Sequence, residues 1–300
     1  WQLSLANKVL IPEEFERFVQ IPQMQKTGIL ELVLHKDDEK KKTVIAHQYS
    51  KAPLLTQKAL YYDSANPSMA YLFLMSSSGG VLQGDRYEIK ISLGKNTAAN
   101  ITTQGATRIY KMESDYASQI LDVTVGDGAY LELLPDQIIP YAKSRYFQQV
   151  NLLVGQNSTI IYSEIISPGR AARGELFEYE LCYLRIAARN SQGVIFSDVS
   201  RLEPGPDKFG NAWIFGQNSV LGTMYVITGK QNHAVLLEQI QALLQNSEMY
   251  CGYSVLPGDA GIVIRILGSF ADDIKSLYFE ITKITRKQVL GSTLSEIRKT

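Results

Sequence analysis

"LGKNT" (residues 93–97), "VGDGA" (125–129) and "VGQNS" (154–158) repeat one pattern: apolar, glycine, polar, asparagine or glycine, small. Their glycines, Gly94, Gly126 and Gly155, stand 32 and 29 residues apart. Glycine reaches the positive φ that tight reversals need, and a small or amide residue tolerates it. Each pentad therefore predicts a turn joining two antiparallel strands. Turns recurring at a near-constant period predict strand pairs stacked unit on unit, a solenoid-like β body rather than a closed sandwich.

Around the pentads the period is two. Tyr87, Ile89, Ile91 and Leu93 share a face, as do Leu121, Val123 and Val125, and then Tyr146, Gln148, Val150, Leu152 and Val154. Such alternation marks half-buried strands. Upstream, "GILELVLHK", the hydrated charged tip "DDEKKK" (37–42) and "TVIAHQY" read as a hairpin over 28–50. Pro12 to Gln20 reads as a short helix with Phe15, Phe18 and Val19 on one side.

The texture changes after residue 204. The loop "PGPDKFGNAWIFGQN" (204–218) leads to two helical patterns, Leu236, Leu237, Ile240, Leu243, Leu244 and Ile274, Leu277, Tyr278, Ile281, Ile284, with the strand "GIVIRILG" between them. The expectation is a mainly β protein: an extension (1–27), a stacked antiparallel β body (28–204) and an α+β lobe (205–300) packed on it as one cooperative unit. The surplus apolar positions Tyr278, Val289 and Leu290 serve either as a docking face or as core.

Of the 300 residues 45% are apolar and 20% charged, with 30 Lys+Arg against 30 Asp+Glu. A zero net charge argues against nucleic acid as an obligate partner and gives little repulsion between copies. Two cysteines, Cys182 and Cys251, offer no disulfide framework and read as free thiols. No apolar run is long enough for a membrane span, so a cytoplasmic protein is expected.

Local motifs for chemistry are few. His35, His47 and His233 are isolated from one another and from the cysteines, so no tight metal site is predicted. "SSSGGVLQGD" (76–85) matches neither phosphate-binding glycine pattern and runs into a strand, not a helix. Gly79, Gly80 and Gly84 therefore read as a chain reversal feeding strand 86–94, with Asp85 at its mouth. No GxSxG elbow occurs. Glu164 in "IIYSEIIS" and Asp198 in "IFSDVS" are strand carboxylates among apolar neighbours, and an inward carboxylate calls for a partner or a wet channel. In "SPGRAARGELFEYE" (167–180) the Pro168-Gly169 turn carries Arg170 and Arg173, and Glu175 opens a long strand. Arginine forks there hold either an internal pair with Glu175 or an acidic segment of a partner.

"GGVLQGD", "TTQGATRIYK" (102–111), "LELLPDQIIPYAKSRY" (131–146), "YSEIISPGRAARGELF" (162–177) and "SDVSRLEP" (197–204) occur in that order. Together they resemble the UreD (UreH) family of urease accessory proteins from residue 28 to 204, and more weakly beyond. The resemblance implies a β-stacked body with two helices and a non-enzymatic chaperone. Such a protein binds UreF, which bridges to the GTPase UreG, and docks on apo-urease to assist Ni²⁺ delivery, with no stably bound cofactor. It also implies a water-filled nickel passage, whose matching positions here are Asp85, Thr107, Arg108, Glu164 and Asp198. Val199 stands where many relatives have a basic or polar residue. Gly169, Arg170, Arg173 and Glu175 form the accompanying structural or partner-binding motif. Two other readings are a β-helical carbohydrate-active enzyme using Glu164 and Asp198 as an acid/base pair, and a structural β protein without a metal role.

Overall fold

The structure, a computed structural model, describes residues 11–19, 26–205 and 215–294. Most of the predicted N-terminal extension and the middle of the 204–218 loop lie outside the described residues. In chain order the strands begin with the predicted hairpin, β1 (Lys26–Asp37) and β2 (Lys42–Lys51), followed by β3 (Leu54–Thr56) and β4 (Ala70–Ser76). Next come β5 (Asp85–Leu93), β6 (Ala98–Thr103) and β7 (Thr107–Ile109), then β8 (Ala117–Val125), β9 (Tyr130–Leu133) and β10 (Ile138–Pro140). β11 (Arg145–Val154) and β12 (Thr159–Ile166) complete the repeats, and β13 (Leu181–Asn190) and β14 (Gly193–Leu202) form a second hairpin. The C-terminal part is β15 (Val220–Ile227), α1 (Lys230–Gln245), β16 (Tyr250–Val255), β17 (Gly261–Gly268) and α2 (Ala271–Leu290).

The strands form two long sheets facing each other. The first has the order β14-β13-β11-β8-β5-β1-β2, and the second β16-β17-β15-β12-β9-β6-β4-β3. β5, β8, β11 and β13 pair in parallel, as do β4, β6, β9 and β12. The solenoid-like stack is as expected, but its sense of pairing is not. Each pentad carries the chain across from one sheet to the other instead of back alongside itself. In-sheet neighbours are therefore successive coils running the same way. A period of 29 to 32 residues is one full coil, long enough for the crossover that parallel strands require.

The role of the pentad glycines also differs from the expectation. The left-handed residues are the fourth of each pentad, Asn96 (φ 52°), Gly128 (φ 64°) and Asn157 (φ 53°). The second-position glycines make room instead. A Cβ on Gly155 would lie 2.6 Å from the carbonyl carbon of Gly126, and one on Gly126 would lie 2.9 Å from that of Gly94. Backbone hydrogen bonds tie the turns into a column: Gly94 N–H donates to Leu34 O (2.8 Å), Gly126 N–H to Leu93 O (2.9 Å) and Gly155 N–H to Val125 O (2.8 Å).

This column fixes the register, which lines up Ile89, Leu121, Val150 and Ile186 across four strands of the first sheet. With side chains alternating between faces, those residues join one buried core between the sheets. Beyond residue 205, β15 pairs antiparallel with β12, so the second sheet runs without a break from the body into the C-terminal part. The helices cover its outer face: Leu236, Ile240 and Leu244 of α1 and Ile274, Leu277, Tyr278 and Ile281 of α2 pack with Ile161, Ile165, Met224 and Ile264. Tyr278 is thus core, not a docking position, and Val289 and Leu290 are partly buried against the same cluster.

Arg286 of α2 is 0% exposed and bonds Asp63 (Nη1 to Oδ2, 2.6 Å), Glu132 (Nη2 to Oε2, 2.7 Å) and Tyr71 (Nη2 to Oη, 2.9 Å). The N-terminal turn is a 3₁₀ helix, Glu13–Phe18, whose Phe15 and Phe18 are buried against Tyr116, Phe147 and Leu181 on the outer face of the first sheet. Val19 points outward.

The glycine column yields a direct test by urea denaturation. Gly155→Ala is expected to cost about 1–3 kcal/mol, the scale of overpacking against backbone that cannot yield. Gly105→Ala, whose Cβ would meet nothing within 4 Å, is expected to stay within about 0.5 kcal/mol of the parent. Equal effects would contradict the packing role.

Candidate functional site

The inward-facing side chains are not all apolar. Between the sheets lies a cavity of about 390 Å³, with Ser78, Gly79, Gly80, Gly105, Thr107 and Arg108 towards the surface and Gln119, Gln148, Tyr162 and Glu164 within. Gly80 forms part of the lip because only glycine fits there: a Cβ would sit 2.6 Å from Arg108 O and 2.3 Å from the Tyr110 ring. Val81 N–H donates to Arg108 O (2.8 Å) and ties this lip to β7. The "SSSGGVLQGD" stretch is therefore a chain reversal, with Gly84 at φ 79°.

Glu164 is buried in this lining. Its Oε1 accepts from Tyr162 Oη (2.7 Å) and Gln148 Nε2 (2.8 Å), while Oε2 accepts no hydrogen bond among the described residues. Gln148 Oε1 in turn accepts from Gln119 Nε2 (3.2 Å) and Tyr146 Oη (3.3 Å). Burial pushes the Glu164 carboxyl up to about 7, against the hydrogen bonds from Tyr162 and Gln148 and with help from the charge on Asp198. One oxygen of a buried carboxyl thus remains unengaged at the end of a polar track.

The other predicted positions divide. Thr107 and Arg108 line the same cavity as Glu164. Asp85 stands one step behind its wall: it is buried and accepts from Leu82 N–H (2.8 Å) and from the hydroxyl of Tyr87, a lining residue (2.9 Å). Burial foremost, and the neighbouring Asp85 charge, hold the Tyr87 phenol well above its usual range.

Asp198 is not in the lining. Its Oδ2 accepts from Tyr225 Oη (2.7 Å) and Arg265 Nη2 (2.5 Å). Burial would raise this carboxyl, but those two bonds outweigh it and hold it low. Tyr225 stacks on Phe196 (centroids 5.2 Å) and Tyr162 (6.3 Å), so the tyrosine that binds Asp198 packs against the one that binds Glu164. Glu164 and Asp198 do not share one open cleft, and the arrangement offers no support for an acid/base pair.

In the arginine-bearing turn Arg170 and Glu175 form an internal pair. Arg170 Nε donates to Glu175 Oε2 (2.9 Å), whose Oε1 accepts Ala142 N–H (2.7 Å). Burial opposes ionisation of Glu175, and the bonds from Arg170 and Ala142 overcome it to lower its pKa. Gly169, at φ 138°, brings the chain back over this pair, and a Cβ there would lie 2.7 Å from Glu175 O. Glu175 does not open a strand, since its carboxylate is spent fastening this loop and β13 starts at Leu181. Arg173 is exposed and forms no ion pair among the described residues.

No three His, Cys, Asp or Glu side chains gather as a metal site among the described residues. Cys182 and Cys251 are free thiols. No helix is long and apolar enough to cross a membrane. Sequence reading missed Gln119, Gln148 and Tyr162 as site residues. The available signal was parity: Gln148 falls on the inward face of an otherwise apolar alternation.

The raised Glu164 pKa has a stability consequence of definite sign. The folded protein holds a proton that the unfolded chain releases near its ordinary value of 4.5. Stability is therefore lost as pH rises from there through about 7. Glu164→Gln removes this loss, so it should become more stable than the parent by on the order of 3 kcal/mol between pH 5 and pH 8. Parallel pH profiles in urea denaturation would contradict a buried carboxyl with a raised pKa.

Comparison with known proteins assigns this architecture. The family model described as UreD urease accessory protein matches residues 26–299. The chain is 39% identical over 276 residues to the urease accessory protein UreD of Cenarchaeum symbiosum, covering 91% of this chain and 96% of that one. It is 35% identical over 259 residues to urease accessory protein UreD 2 of Brucella suis, covering 85% and 86%. A stacked two-sheet solenoid with this match along nearly its whole length belongs to the UreD family of urease accessory proteins.

Proposed function

We propose that the chain is a non-catalytic scaffold of urease maturation in the cytoplasm, holding UreF and, through it, the GTPase UreG on apo-urease, and that Ni²⁺ crosses its lumen as cargo. The observation that supports this reading most is the unengaged Oε2 of Glu164 within a cavity whose polar lining is mostly oxygen and amide. A conduit needs donors that attract a divalent cation without trapping it. Carboxylate, hydroxyl and carbonyl oxygens hold a borderline metal more weakly than thiolate or imidazole sets do. Glu164 offers one oxygen to a passing ion while Tyr162 and Gln148 hold the other in place. Thr107 and Arg108 border the opening, and Asp85 stiffens the wall through Tyr87. Asp198 contributes from behind the Tyr162–Tyr225 stack by fixing those rings.

In cells co-expressing urease with its accessory proteins, Glu164→Ala combined with Asp198→Ala is expected to reduce urease activation and nickel content by roughly 10- to 100-fold, the scale on which removal of groups supporting a metal acts. Light scattering should show the assembly with UreF and UreG intact. Full activation by the double variant would remove the passage, and an assembly lost together with activation would reassign both residues to structure.

A further inference from the structure

A second cavity, of about 650 Å³, lies on the other side of the second sheet, beneath α2. Residues facing it alternate with those facing the lumen: Ser163 lines it while Glu164 lines the first cavity. What distinguishes it is the direction of its hydrogen bonds. Thr102 donates its hydroxyl proton to Leu134 O (2.6 Å) and Thr282 donates its own to Tyr278 O (2.7 Å), so both turn lone pairs towards the cavity. Asn100 uses its amide N–H on Glu132 (2.6 Å), leaving a carbonyl oxygen. Ser163 is 2% exposed as a residue, lines the cavity, and makes no side-chain hydrogen bond among the described residues, so its hydroxyl is free to pair with whatever occupies that space.

Charge points the same way. The lining itself carries Glu132, Asp136 and Glu280 against one basic side chain, Lys275, while Arg286 and Lys283 pair with Glu132 and Glu280 from outside it. One ammonium already sits at the rim: Lys275 Nζ is 3.0 Å from Asp136 Oδ1. Ile165, Phe279 and Leu294 supply apolar walls.

The geometry points to a binding site for a donor-rich organic cation, an alkylguanidinium or alkylammonium group, with its head on Ser163, Thr102 and Asn100 and its stem against Phe279 and Ile165. Such a head has several N–H donors and no acceptor, which is the complement of this lining. The site opens on the opposite face of the sheet from the lumen, with Pro135, Asp136 and Ile165 forming a wall common to both cavities, and the groups assigned to the head, Ser163, Thr102 and Asn100, are uncharged.

The test uses the full chain, isotope-labelled, titrated with capped arginine, with agmatine and with capped citrulline, a neutral isostere of arginine. Arginine or agmatine should shift the amide resonances of Thr102 and Ser163 with a Kd on the order of 1 mM. Citrulline should bind at least about tenfold more weakly, and Ser163→Ala or Thr102→Val should weaken arginine binding by about tenfold with the fold intact. Capped arginine binding more tightly than agmatine would assign the site to a partner protein's side chain, and the reverse order to a free small molecule. Both orders support the cation chemistry. Absence of saturable binding, citrulline binding as tightly as arginine, or insensitivity to both variants would overturn it.

Discussion

The structure depends on a column of three turns whose second-position glycines pack backbone on backbone. Gly94, Gly126 and Gly155 let successive coils touch through their backbones. The turns share hydrogen bonds along the stack, including Asn96 N–H to Asp127 O (3.0 Å) and Gly128 N–H to Gln156 O (2.9 Å). Because strand side chains alternate with a period of two, a slip of one residue would exchange the lumen for the outer face. The column therefore decides that Gln119, Gln148, Tyr162 and Glu164 all point inward and meet.

The second sheet works on both faces. Its inner face carries Glu164 and Tyr162, and its outer face carries the helices. The two are mechanically joined. Tyr278 of α2 donates to Glu164 O (3.3 Å), and α2 is anchored on the neighbouring strand by Arg286 on Glu132. A buried charge cluster of this kind is a poor source of stability in itself, yet losing one member leaves uncompensated charge in the interior. What it supplies here is position: α2 sits on the strands that form both cavities. A partner bound to the helices would thus bear on the floor of the lumen without touching it.

Much of this was legible in the sequence. Alternation located the strands, the pentads located the coils, and the carboxylate at 164 stood out among apolar neighbours. The sense of pairing was not legible, because a glycine turn looks alike whether it folds back within a sheet or crosses to the facing one. Only the coil length separates those cases. The environment of Asp198 was hidden because Arg265, its partner, lies 67 residues away. Arg286 meets Glu132 and Asp63 across 154 and 223 residues. Such contacts follow from topology, and nothing local announces them. Arg170 and Glu175 are only five residues apart, and their pairing could be weighed from sequence.

Passage of nickel through the lumen and passage along the outside of the assembly differ in what a plug would do. The most direct measurement is to fill the opening and leave the carboxylates untouched. Ala106 lines the cavity near its surface end, and Ala106→Trp places an indole there. The nickel content of urease matured with this variant, in an assembly shown by light scattering to be complete, decides the matter. Passage through the lumen gives urease that assembles with its accessory proteins yet stays largely empty of nickel. Urease fully loaded through a plugged lumen would contradict it.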